Sequence, residues 1–331
     1  MTSESSTSTG SGRSFTYRLA AGILKPVLVA MGVKDWQGTE HLPTTGGYLA
    51  VANHITNLDP LTFAHFLYDS SRPPRILAKA SLWKVPVLKA VLVRTGMIPV
   101  HRGTAGAASS LADAVRQLES GECVAVFPEG TLTRDPDLWP MVGKTGAARL
   151  ALSSGVPVIP VAQWGPQLIL PQYSKRLHPF PRKKVSVHAG PPVDLSDLLD
   201  RPQDAAVLTE ATERIMAAIT ALLEEIRGEK APAVRYDMRK AARAQQAAAA
   251  ASAEVPAGEP DVDAAPGTVA DAERATSELV PDVEPTGGAE PVEETGRSTR
   301  PGVEPVAGSV DTAGTADITE PVQPTTDEGN K

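Results

Sequence analysis

Two rhythms of apolar and polar positions organise the first two thirds of the chain. Continuous apolar runs at Tyr48–Ala52, Glu122–Phe127 and Val156–Ala162 predict buried strands, and Arg75–Lys79, Met97–Val100 and Lys184–Ala189 predict further ones. Between them, apolar residues recur at helical spacing around Leu61–Tyr68 and over Leu82–Val93, Ala105–Glu119, Lys144–Ser154 and Gln203–Ile226. The last of these helices keeps Ile215, Ile219, Leu222 and Leu223 on its inner side. Glu122–Ala162 reads as a strand–helix–strand unit with a parallel pair. Strands alternating with helices predict an α/β fold, a single domain with a mixed, mostly parallel sheet flanked by helices.

Ahead of this domain Phe15, Leu19, Ile23, Val27 and Met31 recur at every fourth residue, with Leu24 and Leu28 beside them. That stripe predicts an amphipathic helix over Phe15–Val33. Arg13, Arg18, Lys25 and Lys34 flank it, and no acid occurs between Glu4 and Asp35. A basic amphipathic helix fits a peripheral anchor in a membrane interface. It fits equally a helix packed on its own domain, and one helix can do both with different faces. Leu82–Val93 repeats the combination, with Trp83, Lys84 and Lys89 at its basic edges; it suits a membrane surface, an acyl groove or a core. No run of about 20 apolar residues argues for a spanning helix, and no cleavable signal is evident.

Composition then divides the chain. Every aromatic residue lies at or before Tyr236 and every histidine at or before His188. Residues 245–331 hold 18 acids and 4 bases, or −14; the total of −7 therefore leaves +7 on residues 1–244, from 28 bases and 21 acids. The pI of 5.5 averages a basic folded part with an acidic tail. Rich in Ala, Pro, Glu, Gly and Thr, that tail cannot bury enough apolar surface to order itself. The organisation expected is a disordered N-terminus over residues 1–14, an amphipathic helix over 15–35, suited to a membrane interface or to packing on its own domain, and one globular domain over 36–230. Residues 231–331 follow as a basic coda (Arg235, Arg239, Lys240, Arg243) and a disordered acidic tail. Cys123 is alone inside an apolar run, as expected of a core thiol in a cytosolic protein. No Cys/His spacing suggests zinc, so no metal and no cofactor are expected.

Candidate chemistry gathers at strand ends. In Val51–Pro60, V-A-N-H-I-T-N-L-D-P, His54 follows a strand and Asp59 lies five residues on. On a regular helix that spacing leaves two side chains about 140° apart, so they meet only if the chain turns back before the helix. Pro60 suits the first helical position, with Asp59 or Asn57 as cap. A carboxylate on one imidazole nitrogen fixes the tautomer and leaves the other nitrogen as a base. A capping aspartate and a packed histidine are the plainer alternative. Arg102, at the end of Met97–Val100 and before a helix, is placed either to fork onto a phosphate or simply to be solvated. Glu129, Gly130 and Thr131 follow the strand Glu122–Phe127: the glycine permits close backbone approach, the threonine offers a hydroxyl, and the glutamate can accept from substrate hydroxyls. Lys144, expected in the first turn of its helix, opposes the helix dipole unless an anion lies nearby, which makes it a phosphate candidate.

Four of these stretches together carry a resemblance. N-H-I-T-N-L-D-P, I-P-V-H-R-G, F-P-E-G-T and V-P-V-I-P-V occur in the order and at the spacings of the glycerolipid acyltransferases of the 1-acylglycerol-3-phosphate acyltransferase type, which the chain resembles from about Trp36 to Arg227. The resemblance implies transfer of a fatty acyl group from an acyl thioester, acyl-CoA or acyl-carrier protein, to the free hydroxyl of a lysophospholipid. It implies His54 as general base, Asp59 as its orienter, and Arg102, Glu129, Gly130 and Thr131 as the acceptor-binding set. Peripheral attachment at the cytoplasmic face of the cell membrane, and no nucleic-acid partner, are expected with it. The family's third block often continues with arginine, where this chain has Leu132, so Arg134 or Lys144 must supply any phosphate contact there. The alternatives are another lysophospholipid or glycolipid acceptor, and a non-catalytic membrane lipid-binding protein.

Overall fold

The computed structural model describes residues 15–101 and 106–253. Helix α1 (Phe15–Met31) runs directly into strand β1 (Gly32–Gln37). Strand β2 (Tyr48–Ala52) is followed by α2 (Asp59–Ser70), β3 (Arg75–Lys79), α3 (Pro86–Arg94) and the short β4 (Ile98–Val100). Helix α4 (Gly106–Glu119) leads to β5 (Cys123–Val126), and α5 (Gly146–Ser154) to β6 (Val158–Trp164). After the single turn α6 (Pro166–Ile169) come β7 (Lys183–Ala189), the short α7 (Ser196–Leu199), the long α8 (Ala205–Arg227) and α9 (Met238–Ala253).

Among the described residues the seven strands form one sheet, ordered β1-β7-β6-β2-β5-β3-β4. Every pairing is parallel except β6 with β7. All five positions of β2 and all four of β5 are buried, as expected of parallel strands covered on both faces. Alternate side chains feed two cores. Leu49, Val51, Val124, Val126 and Val158 meet Leu208, Ile215 and Ile219 of α8 on one face. Tyr48, Ala50, Ala52, Ala125 and Val161 meet Phe63, Phe66 and Leu67 of α2 on the other.

The register sets up the site. Strand β2 pairs with β5 through Val51 and Val126, and with β6 through Ala52 and Val161. Three carboxyl ends therefore emerge side by side, where open α/β sheets place their ligands.

Several expectations need correction. The helix predicted to Val33 stops at Met31, and Gly32–Gln37 is a strand running parallel to β7. Its polar sequence lacks an apolar run because, at the sheet edge, most of it is left partly or fully exposed. Leu82–Val93 is not one helix: a 3₁₀ turn, Ala80–Lys84, ends before Pro86, which opens α3 as a first helical residue. The β5–α5–β6 unit is parallel, but β2 lies between its two strands. Lys144 precedes α5 by two residues and occupies no helical turn. The stretch from Gln245 is helical as far as Ala253, because its alanine run and glutamines are strong helix formers. Arg102, residues 1–14 and the rest of the acidic tail lie outside the described residues.

Helix α1 divides its faces. Tyr17 and Met31 are buried, Tyr17 stacks on Tyr68 of α2, and Lys25 and Lys34 both pair with Asp69 of α2. The predicted stripe points away: Phe15, Leu19, Ile23 and Val27 are 73%, 54%, 62% and 51% exposed. Leu82, Val85, Val87, Val91 and Val93, in and around α3, are exposed as well.

Candidate active site

Beyond β2 the chain leaves the sheet through Asn53 and His54. Asn53 holds the exit to β6 with three hydrogen bonds. Its Nδ2 donates to the Gln163 carbonyl at 3.0 Å, its Oδ1 accepts the Gln163 N–H at 2.8 Å, and its carbonyl accepts Gln163 Nε2 at 3.2 Å. The Gln163 side-chain oxygen accepts from Thr62 of α2 at 2.8 Å. The next residue's backbone is clamped at both ends: the His54 N–H donates to Glu129 Oε1 at 2.9 Å, and its carbonyl accepts the Thr133 N–H at 2.7 Å. The His54 ring stacks on Phe127 with centroids 4.1 Å apart.

Asp59 meets His54 as the turn-back predicted. Its Oδ2 lies 3.0 Å from His54 Nδ1. It does not cap α2. Asp59 is the first helical residue, Leu58 occupies the cap position, and no side chain bonds there. Its Oδ2 instead accepts the N–H groups of Ile55 and Thr56 at 2.5 and 2.8 Å. Those bonds fold residues 54–58 into the tight turn that closes the five-residue gap. Asp59 is fully buried, whereas the His54 side chain keeps 15% exposure. With Nδ1 committed to the carboxylate, Nε2 is the nitrogen left for chemistry.

Glu129 does not present its carboxylate to an incoming hydroxyl. It is 1% exposed, and its second oxygen accepts the Met141 N–H at 3.0 Å. Both oxygens thus hold main chain, and burial pushes the carboxyl up to about 8. Gly130 has φ +70°, and the Lys144 side chain crosses it: a Cβ there would lie 3.1 Å from Lys144 Cδ and Nζ. Thr131 is half-buried, Leu132 is buried, and the Arg134 side chain is exposed. The structure therefore brings together His54, Asp59, Glu129, Gly130 and Lys144. Asn53, Phe127, Thr133 and Gln163 were not singled out from the sequence. Only Asn53 and Phe127 carried a signal, as neighbours within the two motifs.

Residues 35–164, which hold all these strand ends, match the family model described as Acyltransferase. The likeness to that family covers 130 of the chain's 331 residues. The chain is similar to the 1-acyl-sn-glycerol-3-phosphate acyltransferase of Borreliella burgdorferi, 35% identical over 125 residues, or 38% of this chain and 48% of that protein. A similar likeness, 32% over 186 residues, reaches the mouse 1-acyl-sn-glycerol-3-phosphate acyltransferase alpha, covering 55% of this chain and 62% of that one. The chain thus spans about half to three fifths of these two relatives. The Bacillus subtilis 1-acyl-sn-glycerol-3-phosphate acyltransferase is 27% identical over 214 residues, 63% of this chain and 100% of that protein. In fold, the chain is similar to the crystal structure of the 1-acyl-sn-glycerophosphate acyltransferase of Thermotoga maritima. The TM-score is 0.50 at 21% identity, covering 65% of this chain and 81% of that one. The match ends at Trp164, so α8 lies beyond the matched residues.

Proposed function

We propose that this protein moves a fatty acyl group from an acyl thioester, acyl-CoA or acyl-carrier protein, to the free sn-2 hydroxyl of 1-acylglycerol-3-phosphate, giving phosphatidic acid. The observation that carries this is the pairing of His54 Nδ1 with a buried Asp59 carboxylate at 3.0 Å. The names of the similar proteins support the choice of acceptor.

The chemistry balances with these groups alone. His54 Nε2 accepts the proton of the acceptor hydroxyl as its oxygen attacks the thioester carbonyl, and Asp59 stabilises the imidazolium. Collapse of the tetrahedral intermediate re-forms the carbonyl and breaks the C–S bond. The imidazolium then returns its proton to the leaving thiolate. Gly130, Thr131, Lys144 and Arg102 form the acceptor-binding set, with the two cations on the acceptor's phosphate. Glu129 belongs with them as the support that fixes the His54 peptide.

The enzyme acts from the membrane surface, on the cytoplasmic face, and is held there peripherally. The exposed apolar positions of α1 and around α3 support this, with Arg18, Lys84 and Lys89 beside them. Among the described residues no helix is long and apolar enough to cross a membrane.

The test is product analysis with purified protein, lysophosphatidic acid and radiolabelled acyl-CoA, followed by a panel of other lysophospholipids and glycolipids. Phosphatidic acid as the main labelled product is the expected result. Label in a different lipid reassigns the acceptor, and no transfer to any acceptor from either donor removes the enzymatic reading.

A further inference from the structure

Between Thr131 and Thr145 the chain runs for fifteen residues with no helix or strand. Yet this loop supplies the Thr133 N–H to the His54 carbonyl and the Met141 N–H to Glu129, which holds the His54 N–H. A long loop with so exacting a task needs an anchor outside itself.

Gln172 Nε2 donates to the Thr133 carbonyl and the Val142 N–H to the Tyr236 carbonyl, and a third anchor is Arg227, the last residue of α8. Its guanidinium lies 3.8 Å from the ring centre of Trp139 and 4.4 Å from that of Trp164, and its side chain is 8% exposed. Nη1 donates to the Asp137 carbonyl at 2.8 Å, while Nε donates to Glu229 at 2.8 Å. Trp139 passes the restraint inward. Its carbonyl accepts Thr133 Oγ1 at 2.7 Å, and its N–H donates to Asp135 Oδ1 at 3.1 Å. Trp164 ends β6 one residue beyond Gln163, the partner of Asn53. The two tryptophans that Arg227 spans thus belong to the two segments that grip residues 53 and 54.

We infer that Arg227 is a positioning residue for His54, acting through Trp139 and Trp164. It touches neither substrate nor the reacting atoms. A planar, weakly hydrated guanidinium can contact two indole faces and still reach a carbonyl in its plane, which an ammonium cannot. Its role rests on the proposal that His54 is the base, since an error of about 1 Å at such a group costs up to about 100-fold in rate.

The test compares Arg227→Met, Arg227→Lys and Glu229→Gln in the full chain, with His54→Ala alongside. Turnover, acceptor KM, melting temperature and amide exchange at Thr133 and Met141 are measured well below the melting point. Arg227→Met is expected to lower kcat about 10- to 100-fold with acceptor KM within about threefold, and to speed exchange at both amides. Arg227→Lys should fall between it and the unchanged enzyme, and Glu229→Gln should leave activity as it was. If Arg227→Met does not fold, Trp164→Leu removes one of the two indole contacts and is expected to show the same split. A folded Arg227→Met or Trp164→Leu protein with unchanged kcat and slow exchange overturns the inference. So does faster exchange spread evenly through α8 with no kcat loss beyond the stability loss, which marks a merely structural contact. A fully active His54→Ala protein instead overturns the base assignment, while the exchange data still report whether Arg227 anchors the loop.

Discussion

Glu129 binds the backbone of His54 and leaves the ring alone: its Oε1 accepts the His54 N–H at 2.9 Å, while Asp59 holds Nδ1. Two carboxyl groups therefore divide the work on one histidine. One fixes the peptide, and the other orients the imidazole.

Buried Glu129 should make stability depend on pH in an uncommon direction. Burial is the largest influence on it, and the nearby Asp59 and Asp135 carboxylates push the same way; the amide bonds from Met141 and His54 oppose them. The net effect raises it from 4.5 to about 8. Between those values the folded protein holds a proton that the unfolded chain has released, so this group's contribution is present in full below pH 4.5 and falls as pH rises toward 8. Glu129→Gln abolishes the titration, although its amide cannot accept at both positions and loses one main-chain bond. The stability advantage of the native protein over Glu129→Gln should therefore shrink steadily from pH 5 to about 8 in urea titrations. A constant difference across that range counts against the raised carboxyl.

Gly130→Ala tests the turn beside it. A φ of +70° costs an alanine about 1–2 kcal/mol. The new methyl also meets Lys144, which must give way by a few tenths of an ångström. Denaturation should show a loss of about that size, and acceptor KM should rise more than donor KM as Lys144 shifts. Unchanged acceptor kinetics in a measurably destabilised protein would separate Lys144 from acceptor binding.

Much of the architecture is legible from pattern alone, because strands buried on both faces must be continuously apolar. Tyr48–Ala52 matches the observed strand to the residue, and so does Arg75–Lys79, although only Ile76 of it is buried. Strand β1 is not legible, since partial exposure at the edge removes the apolar signal, and Pro86 divides a run whose apolarity alone suggests one helix. His54 and Asp59 are legible as a pair because both sit in one short motif. The deeper supports are not. That Glu129 turns both oxygens to main chain depends on where Met141 returns, and Arg227 meets Trp139 and Trp164, 63 or more residues away in sequence, only in the folded chain.

The face of α1 that turns outward predicts a separation of membrane binding from folding. Deleting residues 1–34 is a poor test, because it removes the start of β1, buried Met31 and both lysines paired with Asp69. Leu19→Glu with Ile23→Glu changes two exposed positions instead. Stability should stay within about 0.5 kcal/mol per site, while co-sedimentation with anionic vesicles falls sharply. High salt should weaken vesicle binding of the unaltered protein by screening its lysines and arginines. Full vesicle binding by the double variant would move the membrane contact elsewhere.

The last prediction divides orientation from shape at the central pair. His54→Ala should cost about 10²–10⁴ in kcat while circular dichroism and melting stay close to native. Asp59→Asn keeps the volume, and its amide oxygen can still accept the Ile55 and Thr56 N–H groups, so the turn should survive. What it loses is the charge that stabilises imidazolium, together with certainty about the tautomer, and kcat should fall by about 10²–10⁴. Asp59→Ala should differ from Asp59→Asn in stability. It strands the buried Ile55 and Thr56 amides, at about 1–3 kcal/mol for each donor left unpaired. A role confined to holding the turn predicts the reverse for activity, with Asp59→Asn nearly silent. Steady-state kinetics on the three folded variants decide between them, and vigorous acyl transfer by His54→Ala would remove the histidine from the mechanism altogether.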